Sequence, residues 1–172
     1  FLGSYTYSNA GSGDVKINSN GITLSNKSGI ESGLDPRIFD LDMDPFLPDD
    51  VGDIQITSEN LNLEGGSFII NSHIDTTLPG NISVASKKIS LADGSYIATE
   101  SVPLYQSDFS NRTEVDQNGS VYIKTGSLDL SDSSYVKTTT VIPKRNAGDI
   151  TIEADSVSLT DRSSLLSNTE PN

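Results

Sequence analysis

Gly148-Asp149-Ile150-Thr151-Ile152-Glu153-Ala154, continued by Val157-Ser158-Leu159-Thr160 and by Ser163-Ser164-Leu165, carries the pattern that decides the fold. Ile150 and Ile152 are two residues apart, so in extended chain both side chains point to one face. Val157 and Leu159 form a second such pair, and Leu165 anchors a third segment. Polar and turn-forming residues fill the spaces between them.

The same pattern occurs five times, in ungapped blocks of about twenty residues beginning at Gly13, Gly52, Gly80, Gly119 and Gly148. The second residue is Asp14, Asp53, Asn81, Ser120 or Asp149. Position three holds Val15, Ile54, Ile82, Val121 and Ile150, and position five Ile17, Ile56, Val84, Ile123 and Ile152. Ile22, Leu61, Ile89, Leu128 and Val157 stand at position ten, and Leu24, Leu63, Leu91, Leu130 and Leu159 at twelve. Position sixteen is serine throughout (Ser28, Ser67, Ser95, Ser134, Ser163), and position eighteen is Ile30, Ile69, Ile97, Val136 or Leu165.

A lone block of this kind can neither bury its apolar face nor pair its backbone. Stacking blocks does both, because neighbouring strands lie about 4.8 Å apart and like residues then form ladders. The spacing therefore predicts three short strands per block and an all-β fold, a right-handed parallel β-helix of about five coils over residues 1–172. Apolar residues at i, i+3, i+4 and i+7 are missing from every block, which excludes a helical solenoid. An antiparallel sandwich shares the short alternating strands but does not require every third strand to match residue for residue.

Composition narrows the function. The chain carries 24 Asp and Glu against 11 Lys and Arg, a formal charge of −13 spread along its length. Nucleic acid and anionic membrane surfaces are poor partners for it. No run approaches the roughly 18 apolar residues of a membrane span, so no membrane insertion is expected. Cysteine is absent, which removes disulfides and thiolate chemistry together.

The segment Gly3-Ser4-Tyr5-Thr6-Tyr7-Ser8 aligns with Gly94-Ser95-Tyr96-Ile97-Ala98-Thr99, which makes it the last strand of a partial block. Both ends lack an atypical capping repeat, so the array is expected to continue, covalently or by stacking on another copy. Block starts are separated by 39, 28, 39 and 29 residues. Long insertions, 33–51 and 100–118, thus alternate with short ones near 72–79 and 139–147 at one corner, and insertions of this kind are where a solenoid binds its ligands.

The Gly-Asp-Ile-x-Ile, Val-x-Leu and Ser-x-Leu order of the last block resembles the repeats of cyanobacterial filamentous-haemagglutinin-like proteins, and the likeness runs from Gly3 to Ser167. The resemblance implies a right-handed β-helix in a large protein exported by two-partner secretion. It also implies an extracellular or outer-membrane-associated location and an adhesive or matrix role. The Asn-Pro-Asn-Gly signature of that family's secretion domain does not occur in the chain.

Chemically, the first long insertion stands out: Asp35-Pro36-Arg37-Ile38-Phe39-Asp40-Leu41-Asp42-Met43-Asp44-Pro45-Phe46-Leu47-Pro48-Asp49-Asp50. Asp40, Asp42 and Asp44 alternate and form a candidate calcium site, although the glycine and distal glutamate of an EF-hand loop are missing. The competing reading has these carboxylates solvated while their apolar neighbours cover the flank of the stack. Phe39 and Phe46, with Tyr105 and Phe109 of the second long insertion, are candidate contacts for a carbohydrate or protein partner. Phe68, Tyr96 and Tyr135, with Tyr5, share position seventeen and are expected to stack, which would furnish a further strip for a sugar.

Catalysis finds little footing. A lyase needs a cation beside its substrate's carboxylate and a base, and a glycosidase needs paired carboxylates. The outward row Lys16, Gln55, Ser83, Tyr122 and Thr151 offers neither, and His73, the sole histidine, reads as an exposed loop residue without an acid or serine partner. The expected protein is therefore no enzyme and takes no cofactor beyond the calcium candidate. It is a structural and adhesive segment of a large surface protein, whose partners are its own kind, surface carbohydrate or another cell. The alternatives are an extracellular filament subunit stacking end to end and, more remotely, a fragment of a carbohydrate-active β-helix enzyme.

Overall fold

The computed structural model describes residues 2–6, 12–34, 50–74, 79–102, 118–140 and 146–169. They form eleven strands: β1 (Leu2–Thr6), β2 (Val15–Leu24), β3 (Gly29–Leu34), β4 (Ile54–Leu63), β5 (Phe68–Ile74), β6 (Ile82–Leu91), β7 (Tyr96–Val102), β8 (Val121–Leu130), β9 (Tyr135–Thr140), β10 (Ile150–Leu159) and β11 (Ser164–Thr169). Among the described residues there is no helix. Consecutive strands alternate between two sheets, one of order β1-β3-β5-β7-β9-β11 and one of order β10-β8-β6-β4-β2. Every pairing is parallel, and like positions face like: Ile54↔Ile82, Ile56↔Val84, Leu61↔Ile89 and Leu63↔Leu91.

Two strands per block replace the three expected. Positions three to twelve form one ten-residue strand, whose exposure alternates, passes through two exposed residues at positions eight and nine, and then alternates again. The paired register runs Ser58↔Ser86 and then Asn60↔Lys88. Side chains at position seven explain how the strand changes phase without breaking. Ser19, Ser86 and Thr125 donate to the carbonyls of Gly21, Lys88 and Ser127 at 3.0, 2.9 and 2.9 Å, which holds the bend locally.

The turn after each ten-residue strand has both central residues at positive φ: Asn26 and Lys27, Gly65 and Gly66, Asp93 and Gly94, Asp132 and Ser133, Asp161 and Arg162. Ser28 N–H donates to Ser25 C=O at 3.2 Å, and Ser95, Ser134 and Ser163 close their turns in the same way. This is type I′ geometry, which favours Asn, Asp and Gly. The serine ladder sits next to it. Ser67 Oγ donates to Glu64 C=O at 2.7 Å and accepts from Ser28 N–H at 3.2 Å, tying a turn to its neighbour.

The block-opening glycines serve a steric purpose. A Cβ on Gly119 or Gly148 would lie 2.0 Å from the carbonyl oxygen of the preceding block's glycine, and one on Gly80 2.4 Å from Gly52 O. The backbones stack so closely here that only hydrogen fits. The residue after each glycine adds a second ladder, with Asp53 N–H on Asp14 Oδ1 at 3.0 Å and Asn81 N–H on Asp53 Oδ1 at 2.7 Å.

The amino-terminal strand also differs from expectation. Leu2 pairs with Ile30 and Tyr5 with Gly33, so Tyr5 lies four positions beyond the aromatic row. Backbone pairing is indifferent to side-chain type, and here it places the leucine on the position-eighteen ladder.

The core is a set of ladders, with Leu61, Ile89 and Leu128 at position ten all 0% exposed. Val157, at the same position in the last block, is 45% exposed, with Leu159 at 41% and Leu165 at 36%. Truncating Leu128 to alanine is therefore expected to cost about 2–5 kcal/mol, whereas Val157→Ala costs less than about 1 kcal/mol. Urea unfolding of the two variants checks the contrast. A Cβ on Gly21 meets nothing within 4 Å. Gly119→Ala should accordingly cost about 3 kcal/mol or prevent stacking, and Gly21→Ala should stay within about 0.5 kcal/mol of the parent, read from the same unfolding curves.

Candidate functional site

The six-stranded sheet ends in a row. Gly33 pairs with Ser72, Ser72 with Glu100 and Glu100 with Thr139, so the ends of β3, β5, β7 and β9 lie side by side. All four insertions leave from this edge, the long ones after β3 and β7 and the short ones after β5 and β9. The roots of the two long insertions are thus two strand spacings apart, about 10 Å in an ordinary sheet.

The strands run further into the insertions than the sequence boundaries allowed. β3 continues to Leu34, β5 to Ile74, β7 to Val102 and β9 to Thr140. Pairing persists because the inward face turns polar here without losing its partners. Position twenty, two residues past the apolar position eighteen, holds Ser32, Asn71, Thr99, Thr138 and Ser167. Each donates to the carbonyl of a corner glycine: Ser32 to Gly52 at 3.0 Å, Asn71 to Gly52 at 2.8 Å and Thr99 to Gly119 at 2.6 Å. Thr138 and Ser167 both donate to Gly148, completing the row. Ser32, Asn71, Thr99 and Thr138 are fully buried, and satisfying these carbonyls is what makes a polar interior tolerable. The sequence carried this signal in the small polar residues two places after an inward apolar one.

His73 corrects its sequence reading. Because β5 pairs with β7 through His73↔Ser101 and Ile74↔Val102, the histidine lies within the strand and is 0% exposed. Its Nε2 is 2.8 Å from Asn118 Oδ1, and Asn118 Nδ2 donates to the Thr139 carbonyl. Ser101 Oγ bonds Thr140 Oγ1 at 3.1 Å in the same layer. Nothing in the sequence announced the His73–Asn118 pair, which joins residues 45 apart.

Asp40, Asp42, Asp44, Phe39, Phe46, Tyr105 and Phe109 lie outside the described residues. Among the described residues no three of His, Asp and Glu converge as a metal site.

The aromatic row at position seventeen forms as expected among Phe68, Tyr96 and Tyr135. Their ring centroids are 5.5 and 4.9 Å apart, with interplanar angles of 14° and 3°. The Phe68 ring also fills the space a Cβ on Gly29 would need. Both faces of Tyr96 are therefore covered by neighbouring rings, so that ring offers a sugar its edge and not its face. Burial, aided by Tyr135, Glu100 and Glu31, pushes the Tyr96 hydroxyl up to about 12.

Across the other sheet, a shallow groove of about 780 Å³ follows the bend of the ten-residue strands, floored by Ser58, Ala85, Ser86, Thr125, Gly126 and Ala154. Charged pairs flank it. Lys87 bonds Glu59, and Lys124 bonds Glu153 at 3.1 Å. These lysines hold both carboxyls below the usual range, and the Tyr122 hydroxyl, donating to Glu153, lowers it further. Lys16 does the same for Asp14.

No protein-family model, curated protein or solved structure matches the chain.

The lowered carboxyls set the sign of the acid response. A group whose folded pKa lies below its unfolded value contributes stability above that unfolded value and loses it as pH falls through the folded one. For Asp14, Glu59 and Glu153 the unfolded values are 3.8, 4.5 and 4.5, so the melting temperature is expected to fall as the solution is acidified from about pH 5 toward pH 3. Thermal melts across that window should show a shallower fall in Glu153→Gln, and a smaller difference between the two proteins at high salt.

Proposed function

We propose that the chain is a segment of a right-handed parallel β-helix belonging to a large exported surface protein of the filamentous-haemagglutinin-like kind, structural and adhesive in role. One observation carries the reading. Insertions of alternating length leave the same edge of consecutive, register-matched strands, which presents them in a row along a rigid stack. Loops set on such a scaffold are suited to binding an extended surface, because the spacing between them is fixed by the sheet. Surface carbohydrate or another cell is the partner, and Phe39, Phe46, Tyr105 and Phe109 are the contacts, with calcium at Asp40, Asp42 and Asp44 as a structural ion.

Two observations support a non-catalytic role. The outward side chains of the ten-residue strands include carboxyls kept ionised by lysine partners, the wrong state for a general acid. The histidine is enclosed in the polar layer and spends its Nε2 on Asn118.

Immobilised chain should bind intact cells or a glycan array, and exchanging residues 35–49 and 103–117 for short Gly-Ser linkers should abolish that binding while circular dichroism and the melting temperature hold. Binding that survives the exchange would overturn the adhesive role assigned to the insertions.

A further inference from the structure

The second long insertion begins after Val102 at the end of β7, and the chain returns to the stack at Asn118. Asn118 is 3% exposed, and its side chain reaches in two directions. Its Oδ1 meets His73 Nε2 on β5, and its Nδ2 donates to the Thr139 carbonyl on β9. These are the two strands that flank β7 in the six-stranded sheet. Corresponding positions just before the other block-opening glycines hold Ser12, Val51, Pro79 and Ala147, none of which has an amide to span both sides.

Because the Asn118 amide nitrogen donates to a carbonyl, its oxygen is the atom that faces the ring, and His73 must carry its proton on Nε2. The position that His73 occupies holds Ser101 and Thr140 in the next two blocks, side chains too short for this reach. We infer that His73 and Asn118 are a positioning pair, which fixes where the second long insertion rejoins the stack and so sets its presentation on the edge. The consequence for ligand presentation rests on the binding role proposed above for the insertions, whereas the pinning itself does not.

Hydrogen exchange on the full chain reads the pinning without any ligand, so failure of the pair and failure of the binding role are told apart. The probes are the amides of Asn118, which donates to Asn146 C=O at 3.3 Å, and Ser120, which donates to Asn81 Oδ1 at 2.9 Å. His73→Leu keeps similar bulk but, being apolar, strands the Asn118 oxygen, and should speed exchange at both amides about tenfold. Exchange at the Leu128 amide, further along the same block, should stay within about twofold, since that residue lies in the apolar part of the stack. His73→Gln restores a donor at similar reach and should return the rates to within about twofold of the parent. Unchanged exchange in His73→Leu overturns the inference, as does His73→Gln behaving like His73→Leu, which would reduce the histidine to filler. If His73→Leu does not fold, Asn118→Ala tests the same point at Ser120, where faster exchange supports the pair and unchanged exchange overturns it.

Discussion

The close approach of backbone to backbone at the block-opening glycines governs the whole stack. With Gly119 Cα so near Gly80 that a Cβ would fall 2.0 Å from its oxygen, successive blocks are held in one lateral register. The polar residues at position twenty donate to the carbonyls of Gly52, Gly119 and Gly148, so at these corners the close approach does not leave the glycine acceptor unmet. From that register follow the parallel pairing, the ladders of valine, isoleucine and leucine, and the alignment of the insertion roots.

The interior is consequently divided. Positions three, five, ten, twelve and eighteen are apolar, whereas position twenty and, in the three middle blocks, position twenty-two (His73, Ser101, Thr140) are polar and hydrogen-bonded. This division has a functional sense. The apolar part supplies cohesion through burial, whereas the polar part lies beneath the edge where insertions depart, and it fixes their roots by directional bonds. A dry core at that edge would hold the strands together but would not specify where each insertion begins and returns.

Several features at the turns and corners are likewise products of repetition. Stacked serines, the Asp14–Asp53–Asn81 row and the Phe68–Tyr96–Tyr135 rings arise because a residue in one block lies one strand spacing from its counterpart in the next. Such ladders stabilise when the side chains donate and accept in turn, stack, or pair opposite charges, as Lys87 does with Glu59 and Lys124 with Glu153 across neighbouring blocks. The surface of the stack is therefore organised by the same spacing as its core.

The sequence alone determined the block length, the inward apolar positions, the serine ladder, the aromatic row and the common corner of the insertions, because each depends on recurrence at a fixed interval and recurrence is visible in one dimension. Position twenty was equally legible in Ser32, Asn71, Thr99, Thr138 and Ser167, yet its meaning needed the glycine carbonyls it faces. Only the tertiary structure decided that positions three to twelve make one bent strand, that Leu2 and not Tyr5 begins the partial block's pairing, and that His73 is buried against Asn118. The physical reason is common to all three. A bend, a terminal register and a contact across 45 residues depend on which backbone groups find partners in space, and side-chain periodicity does not record that.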